Sequence, residues 1–308
     1  MSSIGKGSAA ITNIKLGFME TRPQFLILSL VLGLLGSSIA FFYEGSIHIG
    51  HAFLACLGLL LCHASVNSLN DYFDYRSGLD LETPKTPFSG GSGLLPAKAV
   101  TPRQALYIGL GSLITAGGIG IYFTIVKGLG LLPLLLVGAM LILLYTSLIT
   151  RLGWTEWAAG LGLGSLPIMG FYFIQTGEYT LPVILASIPS GILVHNLLLA
   201  NEFSDAEADR RSGRRTLPIA MGYRNASIVY LGLTALVYVL TIAYVAAGIM
   251  PLWCLAALAT IPWAIKASRG LMSYKNLTDL IKVMNNNVLV VLVTQALLGL
   301  GYLGGAII

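Results

Sequence analysis

Charged residues are spaced along the chain in a way that already predicts its architecture. Stretches free of Asp, Glu, Lys and Arg run over 23–43, 45–70, 104–126, 128–150, 157–177, 179–201, 225–265 and 283–308. A helix of about 20 apolar residues crosses a bilayer. Seven of these stretches fit one crossing each, and the longest fits two, folded back near Pro251. The pattern predicts an all-α polytopic membrane protein, a bundle of nine transmembrane helices. They are placed near 24–43, 48–70, 104–124, 129–149, 156–176, 181–201, 225–247, 251–265 and 285–306. The first is too long for a cleavable export signal and lacks a small-residue cleavage site.

Composition narrows the class further. Of 308 residues, 56% are apolar and 10% charged, against about a quarter charged in soluble domains, and the mean hydropathy is +0.81. This excludes an ordinary soluble enzyme, a disordered chain and a disulfide scaffold. Cys56, Cys62 and Cys254 lie within apolar runs and read as buried thiols.

The net charge of +5 reads as membrane topology, with no nucleic-acid partner. With nine crossings, the loops on one side carry every Lys and Arg, from Lys6 to Lys282, except Lys127. Basic loops face the cytoplasm, so the amino terminus is expected there, in the cell membrane. Two sequons, Asn225-Ala-Ser227 and Asn276-Leu-Thr278, fall on that same side and are discounted.

Eight of the thirteen acidic residues form two clusters. One follows the second hydrophobic run and contains Asn67, Asn70, Asp71, Asp74, Asp80 and Glu82. The other follows the sixth and contains Asn201, Glu202, Asp205, Glu207 and Asp209. Asn70 to Asp74 and Asn201 to Asp205 share one spacing, 131 residues apart. A single domain, 1–308, is expected, with pseudo-repeat halves near 20–150 and 151–284 and a ninth helix over 285–306. Such repeats often place a site at their interface.

Residues three and four apart share a helix face, so His63, Asn67, Asn70 and Asp74 form one polar stripe, and Asn201, Asp205 and Asp209 a second. Acids at a helix carboxy-terminal end oppose its dipole, at roughly 0.3–1 kcal/mol each. Gathered carboxylates repel unless a cation holds them. Oxygen donors without cysteine suit magnesium, which binds a few carboxylates together with substrate phosphates. Candidate metal ligands are Asn70, Asp71, Asp74, Asp80, Asn201, Asp205 and Asp209, and Asp74, Asp205 and Asp209 are the candidate catalytic residues. Basic residues downstream, Arg76, Lys85, Arg210, Arg211, Arg214 and Arg215, are available to clamp phosphate. Lys85, Arg210 and Arg215 are the candidates taken from them, beside Asn67, Asn70 and Asn201 as substrate ligands. Ser89-Gly-Gly-Ser-Gly93 is a flexible loop that could cover a phosphate, without the ending of a nucleotide P-loop.

These residues resemble the two aspartate-rich motifs of the UbiA-type intramembrane prenyltransferases, and the likeness extends over nearly the whole chain. It implies transfer of a prenyl chain from an isoprenyl diphosphate to an aromatic acceptor, with Mg2+ on the aspartates. The first motif departs from the common pattern by carrying Gly78 in place of an acid, with Asp80 next. In that it is similar to the branch that prenylates 1,4-dihydroxy-2-naphthoate in menaquinone biosynthesis, as is Gly213-Arg-Arg-Thr-Leu217. Asp80 reaches the metal only if the helix ends near Gly78. Tyr145 resembles a family position near the diphosphate, and reads equally as an interfacial tyrosine. His63 is either a base or a histidine bonded to a neighbouring helix. Three other readings stay open: prenylation of another acceptor, acceptor-free terpene cyclisation by the same fold, and a cation-coupled secondary transporter. No obligate protein partner is indicated.

Overall fold

The computed structural model describes residues 14–83 and 85–307; Lys6, counted with the basic loops, lies outside them. Among the described residues, eight helices are long and apolar enough to cross a membrane. They are α1 (Pro23–Glu44), α2 (Ile49–Ser77), α3 (Pro102–Lys127), α4 (Leu129–Leu152), α5 (Thr155–Thr176), α6 (Leu181–Arg211), α7 (Leu217–Ala246) and, last in the chain, α9 (Leu277–Ile307). The regular structure among the described residues is helical, with no strand. This arrangement is that of a multi-pass membrane protein.

Local sequence explains the helix ends. Prolines open α1, α3, α6 and α7 within the first two positions, where the missing N–H has no intrahelical partner to lose. Thr101 and Gln104 cap α3 reciprocally. Gly78 ends α2 in the left-handed region, at φ 84, a conformation that favours glycine.

The ninth expected crossing takes a different form. Leu252–Thr260 winds as a 3-10 segment and continues as α8, Ile261–Ser273. It runs antiparallel to α9. Cys254 faces Leu298 O at 3.6 Å, and the Thr260 and Thr294 hydroxyls are bonded at 2.8 Å. A Cβ on Gly270 would press into Val283. No single helix of spanning length forms there, because Pro251 and Pro262 interrupt a short apolar run.

Helices α2 and α6 also run past their hydrophobic stretches, to Ser77 and Arg211. Asp71 and Asp74 of the first cluster and all of the second are therefore helical, in the final turns of these two helices. The core joins α1, α5, α6, α7 and α9 around Leu32, Leu35, Ile39, Ile168, Leu193, Val237 and Val291. Glycines set the seam between α5 and α6: a Cβ on Gly164 would come within 2.6 Å of Gly191 Cα and 2.8 Å of Ser190 O. At α4 the opposite holds, since Leu132–Leu144 buries no residue. Two wide, π-type turns, Tyr145–Ile149 in α4 and Leu161–Ser165 in α5, flank the site. Such turns recur at functional sites.

Candidate active site

A cavity of about 570 Å³ opens between α1, α2, α3, α4, α5, α6 and α9. Its deep walls are apolar, built from Leu59, Ala116, Leu135, Leu163, Phe171 and Leu292 among others. Its mouth is where the acidic helix ends meet.

The two clusters converge on one guanidinium. Arg214 Nη1 lies 3.2 Å from Asp209 Oδ1, and its Nη2 is paired with Asp74 Oδ1. The three side chains are only 15%, 4% and 8% exposed. Burial works against the charge of Arg214, but the carboxylates of Asp74 and Asp209 outweigh it and raise its pKa. Motifs on α2 and α6, far apart in sequence, thus share a partner.

Loop 212–216 presents Arg214 because its backbone is pinned on both sides. Arg215 N donates to Thr150 O at 2.8 Å, and Leu217 N donates to Glu156 Oε1 at 2.6 Å. Glu156 is fully buried at the start of α5.

A second loop lies across the mouth. Ser92 N donates to Asp71 Oδ2 at 2.6 Å, and Ser92 Oγ donates to Glu20 Oε2 at 2.9 Å. Phe88 O accepts from Arg22 Nη2 and from Asn201 Nδ2, at 3.4 and 3.5 Å. Ser89 Oγ is bonded to Ser204 Oγ at 2.8 Å, which in turn donates to Asp205 Oδ1 at 2.7 Å. Gly90 and Gly91 take positive φ, 79 and 67, which turns this loop over the cavity they line.

Of the candidates from sequence, Asn67, Asn70, Asp74, Asp80, Tyr145, Asn201, Asp205 and Asp209 line this cavity. Asp80 reaches it because α2 stops at Gly78 and a one-turn helix, Leu79–Glu82, follows. Burial, with Asp71 and Asp74 nearby, pushes the Asp80 carboxyl up to about 8. Burial and Asp71 push Glu20 likewise to about 8. Asp71 itself does not line the cavity: it is held beneath the loop by Ser92 and lies 3.8 Å from Arg22. Lys85 donates to Ser92 O. Arg210 pairs with Glu207 on the exposed surface, and the Arg215 side chain is exposed. These three stand outside the lining. The basic residues that do line it are Arg22 and Arg214.

Arg22 and Glu202 are cavity residues that sequence reasoning did not select. Arg22 is the last charge before the first apolar run, and Glu202 sits beside Asn201 in the second motif; both positions carried a readable signal.

The donor chemistry fits a hard divalent cation. Asn70 gives its amide nitrogen to Thr146 Oγ1 at 3.0 Å, which leaves its oxygen available. Asn201 Oδ1 and Glu202 Oε2 are buried without a hydrogen-bond partner. Among the described residues, no three carboxylate, histidine or cysteine groups close on one point, and Arg214 supplies the positive charge between Asp74 and Asp209.

Likeness to known proteins makes the chain an intramembrane prenyl-transferring enzyme. The sequence profile of the UbiA prenyltransferase family matches residues 29–292, and the chain belongs to that family. It is 29% identical over 289 residues to the 1,4-dihydroxy-2-naphthoate octaprenyltransferase of Bacillus subtilis (strain 168), covering 92% of this chain and 91% of that protein. The apo structure of a UbiA homolog from Aeropyrum pernix K1 superposes with a TM-score of 0.69 at 18% identity, over 90% of this chain and 96% of that one. A UbiA homolog from Archaeoglobus fulgidus, solved bound to GPP and Mg2+, gives 0.63 at 14% identity, over 94% and 99%. These two likenesses carry the fold.

Proposed function

We propose that this protein transfers a prenyl chain from an isoprenyl diphosphate to an aromatic acceptor within the cell membrane, and that the acceptor is 1,4-dihydroxy-2-naphthoate in menaquinone biosynthesis. The observation that carries this reading is the meeting of Asp74 and Asp209 on Arg214 at the mouth of an apolar cavity. The named activity of the Bacillus subtilis relative supports the acceptor, and the Mg2+ and GPP of the Archaeoglobus fulgidus structure support the metal and the donor.

In this reading Asn70, Asp74, Asp80, Asn201, Asp205 and Asp209 hold magnesium, and Arg22 and Arg214 take the diphosphate oxygens through their fork geometry. Magnesium, when bound, supplies Lewis-acid stabilisation of the leaving diphosphate. The allylic C–O bond breaks with its electron pair leaving on the diphosphate. The ring carbon then bonds to the allyl carbon, and aromaticity returns as that carbon gives up its proton or, where it carries the carboxylate of a hydroxynaphthoate, gives up carbon dioxide, the C–C electron pair going back into the ring. Apolar walls keep water from the developing cation, and the prenyl tail lies among Leu59, Leu135 and Phe171.

The composite of Leu252–Thr260 and α8 counts as a crossing in this reading. It begins beside Tyr302 and Ile249, bonded at 3.5 Å, and ends where Leu271 O meets Ser227 at 3.2 Å, on the side of Tyr274 and Phe203. Nine crossings place the amino terminus and the site at the cytoplasmic face under the charge rule.

The test is mass spectrometry of products from purified protein, given a long-chain prenyl diphosphate and a panel of aromatic acceptors with and without Mg2+. A prenylated naphthoquinol formed only with Mg2+ supports the reading. Diphosphate release without any prenylated acceptor overturns it in favour of a cyclase.

A further inference from the structure

We infer that His63 recognises a ring hydroxyl of the acceptor and so helps set which acceptor is used; this rests on the prenyl-transfer reading above. His63 lies on α2 in the same stripe as Asn67, Asn70 and Asp74 and lines the cavity, yet it is only 5% exposed. It sits eleven residues before Asp74, about 16 Å along the helix axis at 1.5 Å per residue. That separation sets it about three turns along α2 from Asp74, with Arg22 the charged group that faces it.

Around it the surface changes character. Leu28, Leu59, Cys62, Val66 and Leu292 line the same cavity, so the imidazole is a polar group set among apolar neighbours. A prenyl tail has no use for it, and burying a polar group without a partner is costly. One ring nitrogen is accounted for: Nδ1 is bonded to Ser29 Oγ on α1 at 3.0 Å, and Ser29 is fully buried. The bond fixes the ring plane between two packed helices. Nε2 is the remaining nitrogen, and in either tautomer it offers one hydrogen bond, as acceptor or donor. A phenolic hydroxyl can take both roles, so it matches Nε2 whichever nitrogen carries the proton.

The spacing also suits the reaction. A diphosphate held near Asp74 sets the allylic carbon below it, toward Asn70 and Asn67. An aromatic ring stacked against that carbon reaches deeper by its own width, toward His63. The imidazole thus marks the far edge of the acceptor, and the carboxylate mouth marks the leaving group.

The test compares the wild type with His63→Leu, His63→Gln and Ser29→Ala. Each is assayed with a hydroxylated naphthoate and with its methyl ether at the same ring position. Prenyl diphosphate binding and thermal midpoint are measured in parallel. His63→Leu should raise the KM for the hydroxylated acceptor about tenfold, the worth of one hydrogen bond, and abolish discrimination against the ether. Prenyl diphosphate affinity should stay within about twofold. His63→Gln, which keeps a polar tip, should recover part of the discrimination, and Ser29→Ala should lose part of it with the ring unfixed. If His63→Leu does not fold, the last two variants carry the decision. Unchanged acceptor KM and unchanged discrimination in the variants that fold overturn the inference, as does lost diphosphate affinity. Absence of any prenylated aromatic product from the wild type overturns the prenyl-transfer reading instead, a distinct result.

Discussion

Replacing Arg214 with Gln tests the heart of the site, because this side chain is the charge that lets two buried aspartates coexist. Asp74 and Asp209 are 8% and 4% exposed as side chains, and removing one member of a buried pair costs about 3–5 kcal/mol. The low end, about 3 kcal/mol, applies here because the cavity mouth admits water. That loss should appear in full only in chelator. Magnesium supplies the missing positive charge, so the deficit should shrink as Mg2+ is added. Linkage then fixes a second observable: a cation that recovers about 3 kcal/mol in the variant binds it about a hundredfold more tightly than the wild type, where Arg214 competes. Calorimetric titration with Mg2+ alone, together with thermal unfolding in detergent with and without chelator, measures both quantities. Turnover should fall as well, since a phosphate contact is lost. Equal destabilisation with and without Mg2+, or unchanged Mg2+ affinity, would refute the view that guanidinium and metal serve the same two carboxylates.

Three further outcomes are expected. Asp205→Asn should lower turnover roughly a hundredfold or more while leaving the thermal midpoint near that of the wild type; retained turnover by product mass spectrometry speaks against its place in the machinery. Glu20, held at about 8 against an ordinary 4.5, keeps a proton that the unfolded chain gives up between about pH 5 and 8. Stability in chelator should therefore fall as pH rises through that window, and Glu20→Gln should flatten the slope of thermal midpoint against pH; identical slopes would contradict the assignment. Gly164→Ala should destabilise the α5–α6 seam by about 1–3 kcal/mol, because the new methyl meets Gly191 and Ser190 backbone at 2.6–2.9 Å; an unshifted denaturation midpoint would count against that close approach.

Charge-free runs located the eight spanning helices because bilayer hydrocarbon tolerates so few charges. The same signal misplaced the ends of α2 and α6, which continue to Ser77 and Arg211. Polar residues facing an internal cavity look like loop to a hydropathy window, although helical hydrogen bonds carry on through them. The 3-10 winding of Leu252–Thr260 was hidden for another reason: prolines mark interruptions without saying how the chain rewinds. At the site, the shared stripe spacing identified most cavity-lining acids and amides, and the position of Gly78 decided that Asp80 joins them. Choosing among adjacent arginines was beyond pattern alone. Arg214 points inward and Arg215 outward because Thr150 and Glu156 grip the backbone on either side, and those grips come from residues more than fifty positions away in sequence.

The packing of α4 bears on how a greasy product departs. From Leu132 to Leu144 this helix buries nothing, yet Leu135, Leu136, Ala139 and Ile142 line the reaction chamber. Among the described residues the partition there is one helix thick, its outer side left uncovered. Small shifts of such a partition sacrifice few contacts, so on the proposed reaction a finished polyisoprenoid has a way straight into the surrounding lipid that never meets water.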